Sequence, residues 1–179
     1  MANVASPNSI KKLATANPGA KRYFQPLQGV QRLNTWMRVG ATAGWVLTAI
    51  DNSKATLAAS QTSSTLVIPI TGLKVGDIIT GYGLLGMINT NNTGNSVTIN
   101  TALHSIQAIS GSSTDTAISN ATTSQVGNAN FVFNSTSGNM SGLSVTVAAD
   151  TTYYILVTGT TAAATTAAIH GALVTVTEG

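Results

Sequence analysis

Short runs with a two-residue apolar period are the feature that most limits the folds open to this 179-residue chain. Val97, Ile99 and Leu103 fall on one alternating face, as do Leu143 and Val147. This is the period of a β-strand with one buried face. Almost no segment repeats its apolar residues at the 3.6-residue helical period. The sequence therefore predicts an all-β protein.

Eight runs are predicted to be strands. They cover residues 45–50, 64–70, 77–88, 95–109, 129–133, 143–149, 152–159 and 167–177. Strands at this spacing indicate an antiparallel β-sandwich or a barrel, and we prefer a jelly-roll-like sandwich. The last two runs are predicted to pair as a hairpin that closes the sandwich.

The segments between these runs are rich in Asn, Gly, Ser and Thr, which favour turns. Three of them are predicted to be long loops, at residues 89–96, 110–125 and 134–142. Alanine-rich stretches at residues 58–59 and 162–168 are predicted to be loop or edge strand, because their neighbours are Thr and Ser and not helix formers.

Basic residues are concentrated at the start of the chain. Six of the eight Lys and Arg residues lie in the first 38 positions, and the first acidic residue is Asp51. Residues 1–40 are therefore predicted to form an extended basic arm, and residues 41–179 a β-sandwich domain. Charged residues make up only 7% of the chain, against roughly 25% in an ordinary soluble domain. Because so little charge protects a monomer from self-association, we expect a homo-oligomer.

A cationic arm docks on acidic protein surface or on phosphate. Apolar and aromatic residues interleave with its charges, and the body adds no basic face, so we favour a protein partner. Nucleic acid is the alternative, with Lys and Arg on phosphates and aromatic rings stacked on bases. The residues assigned to partner binding are Lys11, Lys12, Lys21, Arg22, Tyr23, Phe24, Arg32, Trp36 and Arg38.

Residues 81–86 match the pattern G-x-G-x-x-G. A dinucleotide site also needs a helix that starts at the pattern and an acidic residue about 20 positions later. The Asn- and Thr-rich residues 87–92 cannot form that helix, and no acid lies between Asp77 and Asp115. We therefore predict a glycine-spaced strand that bends or admits a neighbouring backbone closely, and no cofactor.

The other groups that could carry chemistry are few. His104 and His170 each lie in a β-run, without the cluster of ligands that a metal site needs, and are predicted to be structural or interface residues. Asp77 and Asp150 are predicted to cap turns. The chain has no Cys, which excludes thiolate chemistry. We predict a protein that is not an enzyme and binds no metal.

The chain begins Met-Ala-Asn-Val and lacks the apolar segment of a signal peptide. No apolar run approaches the roughly 20 residues of a membrane span. We therefore expect no membrane partner.

Two passages carry a resemblance to a known group of proteins. Residues 66–77 read Leu-Val-Ile-Pro-Ile-Thr-Gly-Leu-Lys-Val-Gly-Asp, and residues 152–159 read Thr-Tyr-Tyr-Ile-Leu-Val-Thr-Gly. Together with the basic arm and the cysteine-free Thr/Ser/Asn/Gly-rich body, they resemble structural proteins of tailed bacteriophage virions. The likeness spans roughly residues 64–177.

Within that group the chain is most similar to capsid decoration, or cement, proteins. The resemblance implies a protein made in the host cytoplasm and located on the capsid surface. Its partner would be the major capsid protein or another virion protein, and a homotrimer would be its favoured assembly. The rival role within a virion is a fibre, spike or tail component, whose loops bind a host glycan or another tail protein. Tyr82 is then the candidate for a sugar-stacking ring.

Overall fold

The computed structural model describes residues 21–26, 44–47, 54–90, 95–109, 112–126, 131–133 and 140–179. These residues form eleven β-strands and no helix. Accordingly, the part of the chain that is described contains no helix long and apolar enough to cross a membrane. Of the predicted arm, only residues 21–26 belong to the described ranges.

The eleven strands are numbered in chain order. They are β1 (Lys21–Pro26), β2 (Trp45–Leu47), β3 (Ala55–Leu57), β4 (Gln61–Pro69), β5 (Ile78–Thr90), β6 (Ser96–Ile109), β7 (Ser112–Val126), β8 (Phe131–Phe133), β9 (Met140–Thr146), β10 (Thr151–Thr161) and β11 (Thr165–Thr177).

The strands form two antiparallel sheets. The four-stranded sheet has the order β4-β10-β6-β7, and the seven-stranded sheet has the order β2-β3-β11-β5-β8, with β1 also beside β11 and β9 also beside β5. From β3 to β6 each strand lies in the opposite sheet to the one before it, and the same is true from β9 to β11. This crossing pattern is that of a jelly roll. The predicted all-β, jelly-roll-like sandwich is thus confirmed.

Three sequence-based expectations were wrong. Residues 110–125 were expected to be a loop, yet Ser112–Val126 is a strand of 15 residues that pairs with β6 along its length. The last two strands do not form a hairpin, because β10 and β11 lie in different sheets. The stretch 162–168 was expected to be loop or edge strand, but its residues 165–168 belong to β11 (Thr165–Thr177). β11 is an interior strand, with β5 on one side and both β1 and β3 on the other.

The core lies between the two sheets and is built from alternate residues of the central strands. In β10, Ile155 and Val157 are fully buried. Ile155 is registered with Leu103 of β6 and with Ile68 of β4, and both of those side chains are also fully buried. Because residues directly opposite each other in a sheet point to the same face, these rows define the inner face of the four-stranded sheet.

Gly159 marks a close approach between the two sheets. It lies on the inner face of β10, and a Cβ added there would meet Leu57 Cδ2 and would stand 2.9 Å from Trp45 Cζ2. Trp45 is 1% exposed, and its Nε1–H donates a 3.0 Å hydrogen bond to the Ser64 carbonyl oxygen. The indole thereby bridges β2 of one sheet and β4 of the other without leaving its polar group unpaired.

Replacing Gly159 with Ala should lower the free energy of unfolding by about 1–3 kcal/mol, because the indole and the Leu57 side chain would have to move apart in a close-packed core. Urea denaturation followed by tryptophan fluorescence measures the change. Thr152→Ala, an exposed position on the same strand, is the matched control and should change stability by less than about 0.5 kcal/mol. Equal stability of the two variants would contradict this packing.

Candidate functional site

The nine residues assigned to partner binding divide into two groups. Lys21, Arg22, Tyr23 and Phe24 lie on β1, where they are registered with Val176, Thr175, Val174 and Leu173 of β11. The remaining five lie outside the described residues: Lys11, Lys12, Arg32, Trp36 and Arg38. Residues 21–26, in the middle of the predicted arm, are therefore joined through β1 to the seven-stranded sheet.

The register also determines where the arm leaves the body. Lys21 lies opposite Val176, so the first described residue is at the end of the sandwich where β11 stops and β5 starts. The connections β4–β5 (residues 70–77) and β9–β10 (residues 147–150) lie at this same end. We call it the arm end of the sandwich.

A cavity of about 350 Å³ opens at the arm end, between those two connections. Its apolar lining includes Ile70, Leu73, Val75 and Val147, and Tyr153 forms part of its wall. Val75 is 69% exposed, one of two large apolar side chains so exposed among the described residues. An exposed apolar residue beside an apolar cavity suits contact with another macromolecule.

The walls of this cavity are held by hydrogen bonds. The Lys74 backbone N–H donates to Asp77 Oδ2 at 2.9 Å, and the Asp77 N–H donates back to the Lys74 carbonyl oxygen at 3.0 Å. Gly76 N–H donates to the Val147 carbonyl, and Val147 N–H to the Asp77 carbonyl. Asp77 therefore caps a turn, as predicted, and its buried carboxylate has a partner.

Tyr153 fixes the other side of the cavity. Its hydroxyl accepts a 3.1 Å hydrogen bond from the Ala148 N–H and donates to the Thr146 carbonyl at 3.3 Å. Asp150 lies in the same connection with φ 54°, a left-handed turn conformation. Asp tolerates this conformation better than most residues, so the turn prediction for Asp150 agrees with the backbone.

A second polar group, the His104 cluster (His104, Asp115 and Tyr154), joins three strands of the four-stranded sheet. His104 Nδ1 lies 2.9 Å from Asp115 Oδ1, and the Tyr154 hydroxyl donates to Asp115 Oδ2 at 2.7 Å. The His104 and Tyr154 rings stack with centroids 5.0 Å apart. His104 and Tyr154 are directly opposite each other and alternate with inward-facing residues, so the cluster lies on the outer face of the sheet.

The cluster determines the protonation of two of its members. Partial burial acts to raise the pKa of the Asp115 carboxyl, but the hydrogen bonds from His104 and Tyr154 and the charge of the imidazole lower it, and the net pKa lies below the ordinary 3.8. Burial, followed by the hydrogen bond and charge of Asp115, raises the pKa of the Tyr154 phenol above its ordinary 10.0. At neutral pH the pair is therefore a carboxylate that accepts a hydrogen bond from a neutral phenol.

The structure does not bring the two histidines together. His104 is in the four-stranded sheet and His170 is on β11 of the seven-stranded sheet. Within the described ranges no three His, Cys, Asp or Glu residues are placed to hold a metal ion. The arrangement of His104 with Asp115 was missed from the sequence, because the pairing of β6 with β7 was not recognised. The available signal was that His104 does not fall on the alternating apolar face that contains Ile99 and Leu103, which places it on the opposite face of the strand.

One candidate is excluded by burial. Tyr82, the predicted sugar-stacking ring, is 2% exposed and its hydroxyl is 3.3 Å from Thr101 Oγ1 inside the core. Residues 81–86, which include it, form part of β5, as predicted for the glycine-spaced run. Tyr82 therefore cannot stack on a ligand in solution.

Asp115→Asn should lower stability at pH 7, because the amide cannot replace the carboxylate as acceptor of both hydrogen bonds. A carboxylate with a depressed folded-state pKa contributes stability that is present above pH 3.8 and is lost as the pH falls through the folded pKa. The difference between Asp115→Asn and wild type in chemical denaturation should therefore shrink towards zero in acid. Asp150→Asn, an exposed acid, is the control, and a pH-independent difference for Asp115→Asn would contradict the assignment.

Tyr154→Phe tests the same cluster in alkali. A phenol with a raised pKa contributes stability that is complete below pH 10.0 and is lost as the pH rises towards the folded pKa, because the unfolded chain releases its proton first. The variant should lose about 1 kcal/mol at pH 7 and decline less steeply than wild type above pH 10.0. Tyr153→Phe, which removes a phenol of the same strand that does not face Asp115, is the matched control, and an equal change of slope in the two variants would contradict the assignment.

Comparison with known proteins adds little beyond the fold. No family model matches the chain, and no curated protein matches it. Among solved structures, it resembles the CBM22-1–GH10 modules of Clostridium thermocellum xylanase 10B complexed with xylohexaose, with a TM-score of 0.44, 13% identity, and coverage of 88% of this chain and 28% of that one. A chain of infectious bursal disease virus Gt strain gives a TM-score of 0.40 at 11% identity, with coverage of 89% and 33%.

The C-terminal family 22 carbohydrate-binding module of the same xylanase is matched over 94% of its length and 89% of this chain, with a TM-score of 0.36 and 12% identity. This chain spans only about a third of the virus chain and less of the two-module xylanase. The neighbours thus include a virus structure and carbohydrate-binding modules that share an all-β fold. At these identities and TM-scores they carry no argument about function.

Proposed function

We propose that this protein is a structural component of a virus particle that binds the outside of the capsid shell and stabilises junctions between capsomers. The observation that carries the proposal is the separation of charge. The basic residues of the arm precede a body of very low charge, and residues 21–26 of that arm pair with β11 of the body. A shell surface that presents acidic groups would attract such an arm.

The arm end of the sandwich offers a second contact. Lys21, the first described residue of the arm, lies at the same end of the sandwich as the apolar cavity and the exposed Val75. Electrostatic attraction of the arm would bring this apolar patch against the same partner. Binding that combines charge with apolar burial depends on salt without being abolished by it.

A protein bound to the outside of a shell stabilises it by mass action, because its binding free energy is added to the assembled state only. If the body is a homo-oligomer, as we infer from its low charge, several arms act together. Once one arm is bound, the others bind at a high local concentration, so the overall affinity exceeds that of one arm. The role needs no catalytic group and no cofactor, in keeping with the predicted non-enzyme.

A full-length double variant tests the arm. Lys11→Gln with Lys12→Gln should weaken co-sedimentation with purified shells by at least about threefold, because two charge contacts worth a few tenths of a kcal/mol or more each are lost. Lys54→Gln removes a charge from the body outside the arm end and should leave binding within about twofold. Weakening by Lys54→Gln as large as that by the double variant would contradict an arm-specific contact.

The number of copies in purified particles tests the role itself. A copy number comparable to that of the major shell protein is expected for a decoration protein. A few tens of copies or fewer would instead identify a fibre, spike or tail component. Absence from particles, together with steep loss of DNA affinity as salt rises, would favour the nucleic-acid alternative.

A further inference from the structure

The open edge of the four-stranded sheet is β7. All of its described pairing is with β6, and no other described strand lies beside it. Its 15 residues, Ser112–Val126, make it the longest strand of the sandwich. An edge of this length presents a row of unpaired backbone N–H and C=O groups to which another strand can add.

Edge strands of monomers are usually protected by charge, proline, bulges or short length. β7 contains no Lys, Arg or Pro, and its single charge is Asp115. One register shift, between Leu103 and His104 of β6, interrupts its pairing. The rest of the strand is neutral and rich in Ser and Thr, so little opposes the approach of a second neutral strand.

The opposite edge of the same sheet is protected in several ways. β4 has nine residues and ends in Pro69. Ser63 within it has φ 50°, and Ser60 just before it has φ 58°, so the strand is bent at its start. The Ser64 carbonyl already accepts the indole N–H of Trp45. The two edges of the four-stranded sheet therefore differ: β4 is protected against the addition of another strand, and β7 is not.

We propose that β7 pairs antiparallel with β7 of a second copy of this chain, which joins two four-stranded sheets into one of eight strands. Such an interface is isologous, because each strand offers the other the same sequence of donors and acceptors. The two paired strands have equal length, because each is β7 of one copy. β7 carries only one acidic residue, so it offers little attraction to a basic peptide. It carries no basic residue, so it offers none to an acidic peptide. A second, equally neutral copy of β7 is therefore the favoured partner.

The position of the single charge permits this pairing. If the two-fold axis passes through Ser119, the middle residue of the strand, Asp115 lies opposite Thr123 of the other copy. The two Asp115 residues are then eight positions apart along the strand direction, roughly 27 Å at about 3.4 Å per residue. This exceeds the Debye length of about 8 Å at physiological salt. Repulsion between the carboxylates is therefore weak.

The His104 cluster helps to prepare the edge. Asp115 is held by His104 of β6 and Tyr154 of β10, so the first part of β7 is tied to two strands behind it. An ordered edge loses less conformational entropy when a partner adds to it. The pairing produces a two-fold dimer, unlike the trimer implied by the phage resemblance.

Light scattering on the full chain during size-exclusion chromatography tests the proposal. Wild type should be a dimer at about 100 μM and dissociate on dilution. Thr116→Lys, on the exposed part of β7, should raise the dimer dissociation constant by at least about tenfold, because an edge lysine disfavours strand addition. Thr62→Lys makes the same change on β4, also at an exposed position, and should leave the constant within about twofold.

Three results would overturn the proposal: a monomeric wild type at that concentration, a trimer, or a dimer that both variants weaken equally. Circular dichroism and thermal melting exclude unfolding of Thr116→Lys as a cause. Dissociation of wild type on removal of residues 1–20, with Thr116→Lys still dimeric, would instead assign the interface to the arm and would also overturn it.

Single cysteines give an independent measurement, because the natural chain has none and any disulfide must join two copies. Cysteine placed in turn at positions 117, 119, 121 and 123 should form covalent dimers most efficiently at one position and less on either side of it. Only residues near the two-fold axis bring their Cα atoms within the roughly 4.4–6.8 Å that a disulfide requires. Uniform yields no higher than that of Thr62→Cys would contradict β7 pairing.

Discussion

Both sheets depend on a central strand that is paired along both sides and buried between the layers. β11 fills this place in the seven-stranded sheet, where β5 lies along one side and β3 and β1 share the other. β10 fills it in the four-stranded sheet, between β4 and β6. Gly159 of β10 lets the two layers meet at Trp45 and Leu57 without a gap. A jelly roll places its last two strands in different sheets, so the sequence-adjacent pair is separated by the full thickness of the core.

That separation explains which features of the fold could be predicted. Alternation in β6 and β9 reports which residues face a core, so the all-β class and the sandwich follow from Val97, Ile99, Leu143 and Val145. The apolar period of a strand does not indicate which strand it pairs with. For this reason the prediction of a hairpin between β10 and β11 was wrong. β7 was missed because its sequence shows no alternating run of large apolar residues, and its Ser, Thr and Asn residues favour the prediction of a loop.

The candidate sites show the same limit. The capping role of Asp77 could be predicted because it depends on residues three positions apart. The His104 cluster could not, because it needs the register of three strands, with Asp115 and Tyr154 39 positions apart in the sequence. The concentration of basic residues in the arm was visible at once, but its attachment through β1 required the pairing with β11. Contacts between residues close in the sequence could be predicted, whereas contacts that depend on strand pairing and register could not.

The attachment of β1 also has a mechanical consequence. The strand runs antiparallel to β11, and residues 1–20 of the arm are joined to it at Lys21, at the arm end of the sandwich. A partner that pulls the arm away from that end loads β1 along its own axis. Ladder hydrogen bonds lie perpendicular to the strands, so such a pull strains all six registered pairs together. A sideways pull would instead break them one after another. The attachment of β1 therefore resists a pull along the strand better than a pull sideways to it.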